Sequence, residues 1–220
     1  MDERLRDAAC DAIGFMPENE GIALYDAALT VASDDPLLEI GSYCGRSTIY
    51  LGAAAKAGQS VLYAVDHHRG SEEHQPGEEY HDERFVDPET GRFDTFPTFR
   101  RNIEEAGLLD WVVPIVARSD VVRNMWQTPL SFVLIDGSHS PEAAYKDFLW
   151  TTAVRMGGLL AIHDVFPDPA DGGRPPFEIY ERALQTQEFV EIVEEGSLRV
   201  LERIHEPGYR FWEGLAPEET

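Results

Sequence analysis

The sequence predicts an α/β fold: a doubly wound, mostly parallel sheet of seven strands that ends in a C-terminal antiparallel hairpin. Three observations carry this. Short apolar runs of strand length alternate with segments whose apolar residues recur at helical spacing, from residue 37 to residue 185. The first run, Leu37-Leu38-Glu39-Ile40, passes through a glycine-bearing turn into an Ala-rich segment, as in a strand–turn–helix unit. The last two runs, 189–193 and 198–203, are separated only by a short turn around Gly196. A chain of 220 residues suits one such domain and buries a substantial core.

The elements follow in order. Residues 1–13 place Leu5, Ala8, Ala9, Ala12 and Ile13 at helical spacing, and Gly14 breaks the run. A second helix extends to residue 31 on Ile22, Leu24, Tyr25, Ala28 and Leu29. These two helices, within 1–33, are expected to cap the sheet, with Phe15 and Met16 in the turn between them as contacts for a lid. Strand 37–40 follows Pro36, and helix 48–57 follows the glycine turn. Strand 61–66 ends in Asp66. Segment 67–97 has no apolar period and holds four histidines, His67, His68, His74 and His81, among many acids. A loop of about thirty residues inside a compact domain is expected to be a lid insertion over a site, with His67 and His68 nearest to it.

Helix 98–108, strand 111–117 and a short helix 121–126 come next. Strand 131–136 ends in Asp136. Ser140 and Pro141 then supply an N-cap and a first helical residue for a helix running to about 154, with Ala144, Phe148 and Leu149 inward. Strand 157–164 ends in His163-Asp164, loop 167–176 is rich in Gly and Pro, and helix 177–185 precedes the hairpin. The tail carries Tyr209, Phe211 and Trp212, a composition that suggests docking and makes a homodimer the expectation.

Composition narrows the function. The 41 acids outnumber 18 bases, giving a net charge of −23. Such a surface repels nucleic-acid phosphates and anionic membranes, so neither is an expected partner. It suits a neutral or cationic ligand, or a bound metal. No run of eighteen apolar residues exists to span a membrane. The start, Met-Asp-Glu-Arg, has no apolar signal core, and two cysteines, Cys10 and Cys44, make no disulfide framework. A cytoplasmic location is the expectation.

The glycine turn bears on chemistry. Gly41 and Gly45 are four apart, and Tyr43 occupies the position where a dinucleotide fingerprint needs its second glycine. Arg46 follows Gly45, where a phosphate-binding loop needs lysine. The pattern Glu39-x-Gly41-x-x-x-Gly45 instead resembles the first motif of class I S-adenosylmethionine (SAM) methyltransferases. That resemblance implies the Rossmann-like class I methyltransferase fold, SAM as the cofactor, and Glu39, Gly41, Ser42, Gly45 and Ser47 around it. Asp66, at the end of the second strand of a doubly wound sheet, is suited to accept from both ribose hydroxyls. His67 lies beside it, and Ser119 falls where an adenine would sit.

Asp136 and His163-Asp164 end strands about one βαβ unit apart, so their side chains can converge above the carboxyl edge of the sheet. Carboxylate oxygens suit Mg²⁺, and a histidine biases a site toward Mn²⁺ or another transition ion. Asp136-Gly137-Ser138-His139 with His163-Asp164 resembles the metal-dependent sugar and polyketide O-methyltransferases related to macrocin O-methyltransferase, and the cephalosporin-hydroxylase-like proteins of the same group. The resemblance covers residues 37 to about 165. It implies Asp136 and Asp164 as metal ligands, with Asp136 also near SAM, and His139 as catalytic base. At position 163 the group often has an acid, so whether His163 is a ligand, and which metal binds, stay open. The acceptor implied is a small molecule or oligosaccharide, through a hydroxyl of a sugar or similar polyol. Two rivals remain: a metal-independent methyltransferase acting on nitrogen or a carboxyl group, and a non-catalytic binding protein that keeps the fold.

Overall fold

The computed structural model describes residues 1–33, 35–71, 77, 81–168 and 174–208. Helices α1 (Glu3–Asp11) and α2 (Glu18–Leu29) precede the sheet. Strands β1 (Leu37–Ile40), β2 (Leu62–Asp66), β3 (Val112–Val116), β4 (Leu130–Ile135) and β5 (Val154–Ile162) are all parallel where they pair. Helices α3 (Arg46–Gly58), α4 (Phe96–Glu105), α5 (Ser119–Arg123) and α6 (Pro141–Phe148) connect them. Helix α7 (Pro175–Gln185) leads to β6 (Phe189–Glu195) and β7 (Leu198–Arg203). The strand order is β3-β2-β1-β4-β5-β7-β6, with β7 antiparallel to both its neighbours. The doubly wound sheet and its closing hairpin are therefore as the sequence predicts.

The strands sort their side chains by parity, because successive residues of a strand face opposite sides. Leu37, Phe132 and Leu134 join the core under α1, α2 and α3, while Leu38, Val133 and Ile135 join the core under α6 and α7. Every residue of β1 and β4 is buried, the expected state of central parallel strands covered on both faces. Two helix starts follow their local chemistry. Asp2 accepts from the Arg4 amide at 2.9 Å, and Ser140 from the Ala143 amide at 3.4 Å, ahead of Pro141. Helices α2 and α3 touch closely at Gly21, where a built Cβ would lie 2.2 Å from the Tyr50 ring.

Three boundaries differ from expectation. The helix expected over 141–154 ends at Phe148 and tightens into a 3₁₀ segment, Leu149–Ala153. Three residues per turn rotate the inward face, so Trp150 is fully buried and Leu149 only half-buried. Strand β5 starts at Val154, not 157, because its pairing with β4 slips between Leu130↔Val154 and Phe132↔Leu159, and Gly157 takes φ +68° within the slip. Alternation cannot reveal a strand that begins ahead of its own bulge. Segment 67–97 is not structureless: it holds a 3₁₀ turn, Glu83–Phe85, and a bridge Val86↔Phe93. Phe85 and Phe93 are buried against Cys44. Two aromatics eight apart leave no period to detect.

Residues 72–76 and 78–80 of the expected lid, 169–173 of the second loop, and Tyr209, Phe211 and Trp212 lie outside the described residues. Among the described residues no helix is long and apolar enough to cross a membrane.

Candidate active site

The tips of β1, β2 and β4 surround a cavity of ≈ 570 Å³. Ile40 is hydrogen-bonded in register to both neighbours, and the chain then turns at Gly41, with φ +86°. A built Cβ at Gly41 would lie 2.0 Å from the Asp136 carbonyl oxygen, so only glycine lets β1 and β4 close there. The Gly45 amide donates to the Ser42 carbonyl at 2.7 Å, and Gly45 starts α3 from a left-handed conformation. The amides of Ser42 and Tyr43 donate to Asp66 Oδ2, at 3.0 and 2.9 Å. The His68 amide donates to Oδ1 at 2.7 Å. The turn's amides thus converge on a carboxylate of the protein itself, and Asp66 presents a fixed acceptor to the cavity.

Arg46 secures the turn from the other side. Its Nε, Nη1 and Nη2 donate to the carbonyls of Ala12, Met16 and Cys10, at 2.8, 3.1 and 2.9 Å. Phe15 is thereby held beside Tyr43, with ring centroids 5.6 Å apart, and Tyr43 lines the cavity.

Of the residues expected around a cofactor, Gly41, Asp66, His67, Ser119 and Asp136 line the cavity. Glu39, Ser42, Gly45 and Ser47 do not. Glu39 is fully buried behind the turn, where Ser47 Oγ and Thr48 Oγ1 each donate to it at 2.5 Å. Ser47 is turned inward by that bond. A side chain on Gly45 would meet Phe99 and Ile103 rather than the cavity. Ser42 is buried and acts through its amide. His68 also departs from expectation: it is packed against Phe96 and Phe99, with Nδ1 2.9 Å from Thr95 Oγ1. The left-handed φ of +56° at His68 turns its ring into the core while His67 stays at the rim.

Glu39 carries a test of its own. Burial pushes its carboxyl up to about 8 from an ordinary 4.5, although both hydroxyl bonds pull the other way. The folded state therefore retains a proton that the unfolded chain releases. That stabilising difference is fully present below about pH 4 and is lost as the pH rises toward 8. By pH 7 the ionisable carboxyl has cost about 3 kcal/mol. Glutamine cannot ionise and keeps partners for both hydroxyls. Glu39→Gln is expected to match the parent's urea midpoint near pH 4 and to exceed it increasingly up to about pH 8, with SAM affinity unchanged. A pH-independent difference would contradict this account.

At the α5–α6 side, Ser119 Oγ donates to Asp147 Oδ1 in a short bond. Asp147 lines the cavity while almost entirely buried, and burial pushes its carboxyl up to about 7 against the pull of Ser119. Sequence reading missed Asp147. Its signal was an acid among the inward positions of α6, beside Ala144 and Phe148.

The tips of β4 and β5 hold the second half of the site. The Asp136 amide donates to the Ile40 carbonyl at 2.9 Å, and the His163 amide to the Ile135 carbonyl at 3.1 Å. This register brings Asp136, His163 and Asp164 together, with one ligand-type atom of each within 4.8 Å of the others. His163 Nδ1 is 3.0 Å from Asp136 Oδ1 and 3.4 Å from Asp164 Oδ1. Its Nε2 is 2.7 Å from Glu20 Oε2, on α2. His139 Nε2 lies 3.2 Å from Asp164 Oδ2. Asp164 has φ +55°, a left-handed backbone that an aspartate tolerates at modest strain and that aims its carboxylate back at both histidines.

The charges balance locally. Burial alone would favour a neutral His163, but the Asp136 carboxylate and bonds to Asp136, Asp164 and Glu20 raise its pKa well above the usual imidazole value. Burial pushes Asp164 up, yet the bonds from His139 and His163 hold it well below the carboxylate range. Two carboxylates and an imidazole whose far nitrogen is held by a third carboxylate are a donor set fit for a divalent cation. Glu20 was also missed. Its signal was periodic, since an acid at 20 shares the inward stripe of α2 with Leu24, Ala27 and Ala28.

A mostly parallel sheet of this strand order with β7 antiparallel, a glycine turn after β1 and an acid at the tip of β2, is the arrangement of the class I methyltransferases, which take their methyl group from SAM. Residues 38–165, more than half of the chain, match the model of the family described as a methyltransferase domain, and the chain belongs to that family. It is a SAM-dependent methyltransferase. Solved structures share the fold. TomG, the O-methyltransferase of Streptomyces achromogenes involved in tomaymycin synthesis and solved with SAM, is similar at TM-score 0.61 and 16% identity, over 93% of this chain and 91% of its own. The SAH-bound methyltransferase PaMTH1 of Podospora anserina gives TM-score 0.63 at 10% identity, over 93% and 89%. An O-methyltransferase of Bacillus cereus in complex with SAH gives 0.59 at 18% identity, over 92% of both chains.

Proposed function

We propose that this methyltransferase transfers its methyl group to a hydroxyl of a sugar or similar polyol, with a divalent cation held by Asp136, Asp164 and His163, and with His139 as the base. One observation carries the reading: the Asp136–His163–Asp164 cluster adjoins both the cofactor-sized cavity, through Asp136, and a histidine, through Asp164. When bound, SAM supplies an electrophilic methyl group, and a divalent cation supplies a Lewis acid that lowers the pKa of a ligated hydroxyl.

The chain's own residues do the rest. Asp66 accepts from the ribose hydroxyls, held in place by three amides. Ser119 and Asp147 wall the adenine end. Asp164 Oδ2 holds the His139 ring through Nε2 and so sets the orientation of the proposed base. That ring would take the acceptor's O–H proton. Residues 81–97, with Phe85 and Phe93 packed on Cys44, are the candidate cover that excludes water. Helix α2 contributes to the proposed site through Glu20, which reaches the cluster. Within the group that the Asp136–His139 motif resembles, a mannoside, as in methylmannose polysaccharide biosynthesis, is the acceptor to try first, on the chain's short length and its preference for arginine over lysine. A homodimer belongs to the same proposal and rests on the aromatic tail alone.

The test is a transfer screen with methyl-labelled SAM over partly methylated mannosides and other sugars, with Mg²⁺ or Mn²⁺ present. The expected result is an O-methylated product that a chelator abolishes and added cation restores. Activity that ignores the chelator would favour the metal-independent reading. An absence of heat with millimolar SAM would favour a non-catalytic binding protein.

A further inference from the structure

Glu20 does something that a helix residue packed on a sheet has no need to do. It is 4% exposed, and every acceptor position it offers inward is used. Oε2 faces His163 Nε2 at 2.7 Å. Oε1 accepts from the Ser197 amide at 2.8 Å, and the Ser197 hydroxyl donates to Oε2 at 3.1 Å. The turn between β6 and β7 leaves no slack behind it, because a built Cβ at Gly196 would lie 2.1 Å from Glu20 Oε1. The carboxylate is therefore clamped between a hairpin turn and an imidazole. A buried carboxylate is costly unless it is bonded, and this one directs its strongest bond at the far nitrogen of a cluster histidine.

The consequence lies in the two nitrogens of His163. A ring that donates from Nε2 to a carboxylate keeps its proton on that nitrogen when a cation displaces the one on Nδ1, and Nδ1 then ligates. Nδ1 is the nitrogen that faces Asp136 and Asp164, at 3.0 and 3.4 Å. We propose that Glu20 is a positioning residue: by its bond to His163 Nε2 it sets the imidazole tautomer and angle so that Nδ1 completes a one-nitrogen, two-carboxylate site, which prefers Mn²⁺ or a similar transition ion to Mg²⁺. This rests on the metal reading above and goes beyond it, to the residue that arms the ligand and the ion that it selects. Oxygen-only sites suit Mg²⁺, and an imidazole shifts preference toward transition ions.

Glutamine at position 20 makes the distinction. Its carbonyl oxygen can still accept from the Ser197 amide, while its NH₂ group then faces His163 Nε2. That nitrogen must become the acceptor, the ring proton moves to Nδ1, and an N–H points into the cluster. A purely structural Glu20 would not give this result: its loss would lower stability and leave ion affinity alone.

The experiment is Mn²⁺ titration of the full-length protein, read by loss of the free-ion electron paramagnetic resonance signal, with Mg²⁺ as competitor. Thermal melts of each protein show that it is folded. The parent is expected to bind Mn²⁺ and to release it only to a large molar excess of Mg²⁺. Glu20→Gln should weaken Mn²⁺ binding about 10–100-fold. In a His163→Gln background the same change should have no further effect, because the two residues act through one bond. Parental Mn²⁺ affinity in Glu20→Gln, or an equal loss in the His163→Gln background, would overturn the positioning role. Displacement of Mn²⁺ by equimolar Mg²⁺ would overturn the ion preference. A parent that binds neither ion would instead remove the metal reading itself, and this inference with it.

Discussion

Replacing His139 by alanine is expected to lower turnover by about 10²–10⁴-fold, the usual contribution of a positioned base, while SAM affinity stays within about twofold of the parent. Two features of the site lead to this. His139 Nε2 is 3.2 Å from Asp164 Oδ2, so its orientation is set by a member of the Asp136–His163–Asp164 cluster. His139 itself is not among the residues that line the cavity, although Ser138 and Ser140 on either side are. Chemistry and cofactor binding should therefore separate in this variant. Single-turnover rates with saturating SAM, alongside calorimetry with SAM, check both halves. A fall in turnover matched by an equal fall in SAM affinity would mean that His139 supports the cavity wall instead.

Asp66→Ala is expected to give the largest loss in cofactor binding, about 100-fold or more, together with about 2–4 kcal/mol of stability. The carboxylate serves two purposes at once. On the proposed reading it offers the ribose an acceptor, and it gathers the amides of Ser42, Tyr43 and His68, which alanine would leave without a partner. Asp66→Asn separates the two. Its carbonyl oxygen can keep the Ser42 and Tyr43 amides, while its NH₂ group faces the His68 amide, donor against donor. Stability should rank parent, Asn, Ala. SAM affinity should fall in the Asn variant by more than its stability does. Calorimetry with SAM and urea unfolding supply the two scales, and equal losses on both would reduce Asp66 to a structural part of the turn.

Much of the sheet was legible because its strands are buried on both faces and bounded by glycines, prolines and acids. The runs at 37–40, 61–66 and 131–136 each lie within a residue of an observed strand. The acids that end strands were legible too, since an acid at the close of an apolar run marks the carboxyl edge. What one strand tip does with its neighbours was not. Glu39 belongs to a motif that implies a ligand, yet the side chains of β1 alternate, and the one at 39 points into the start of α3, where Ser47 and Thr48 take it up. His68 follows the rim residue His67, and a left-handed step turned it into the core. Periodicity ranks residues by face but does not say which distant element that face meets. Glu20 and His163 are 143 positions apart, and only the stacking of α2 against β5 and the closing hairpin joins them.

Arg46 carries a consequence for anyone who recombines this scaffold. The position looked like a mere departure from phosphate-loop lysine, but its guanidinium spans three carbonyls, at 10, 12 and 16, and a lysine ammonium lacks the planar fork that reaches all three. The opening sixteen residues and the glycine turn therefore form one inseparable cassette. A chimera that inherits its N-terminal segment from one parent and its turn from another, without arginine here, would strand those carbonyls and let the segment drift from the rim it shapes.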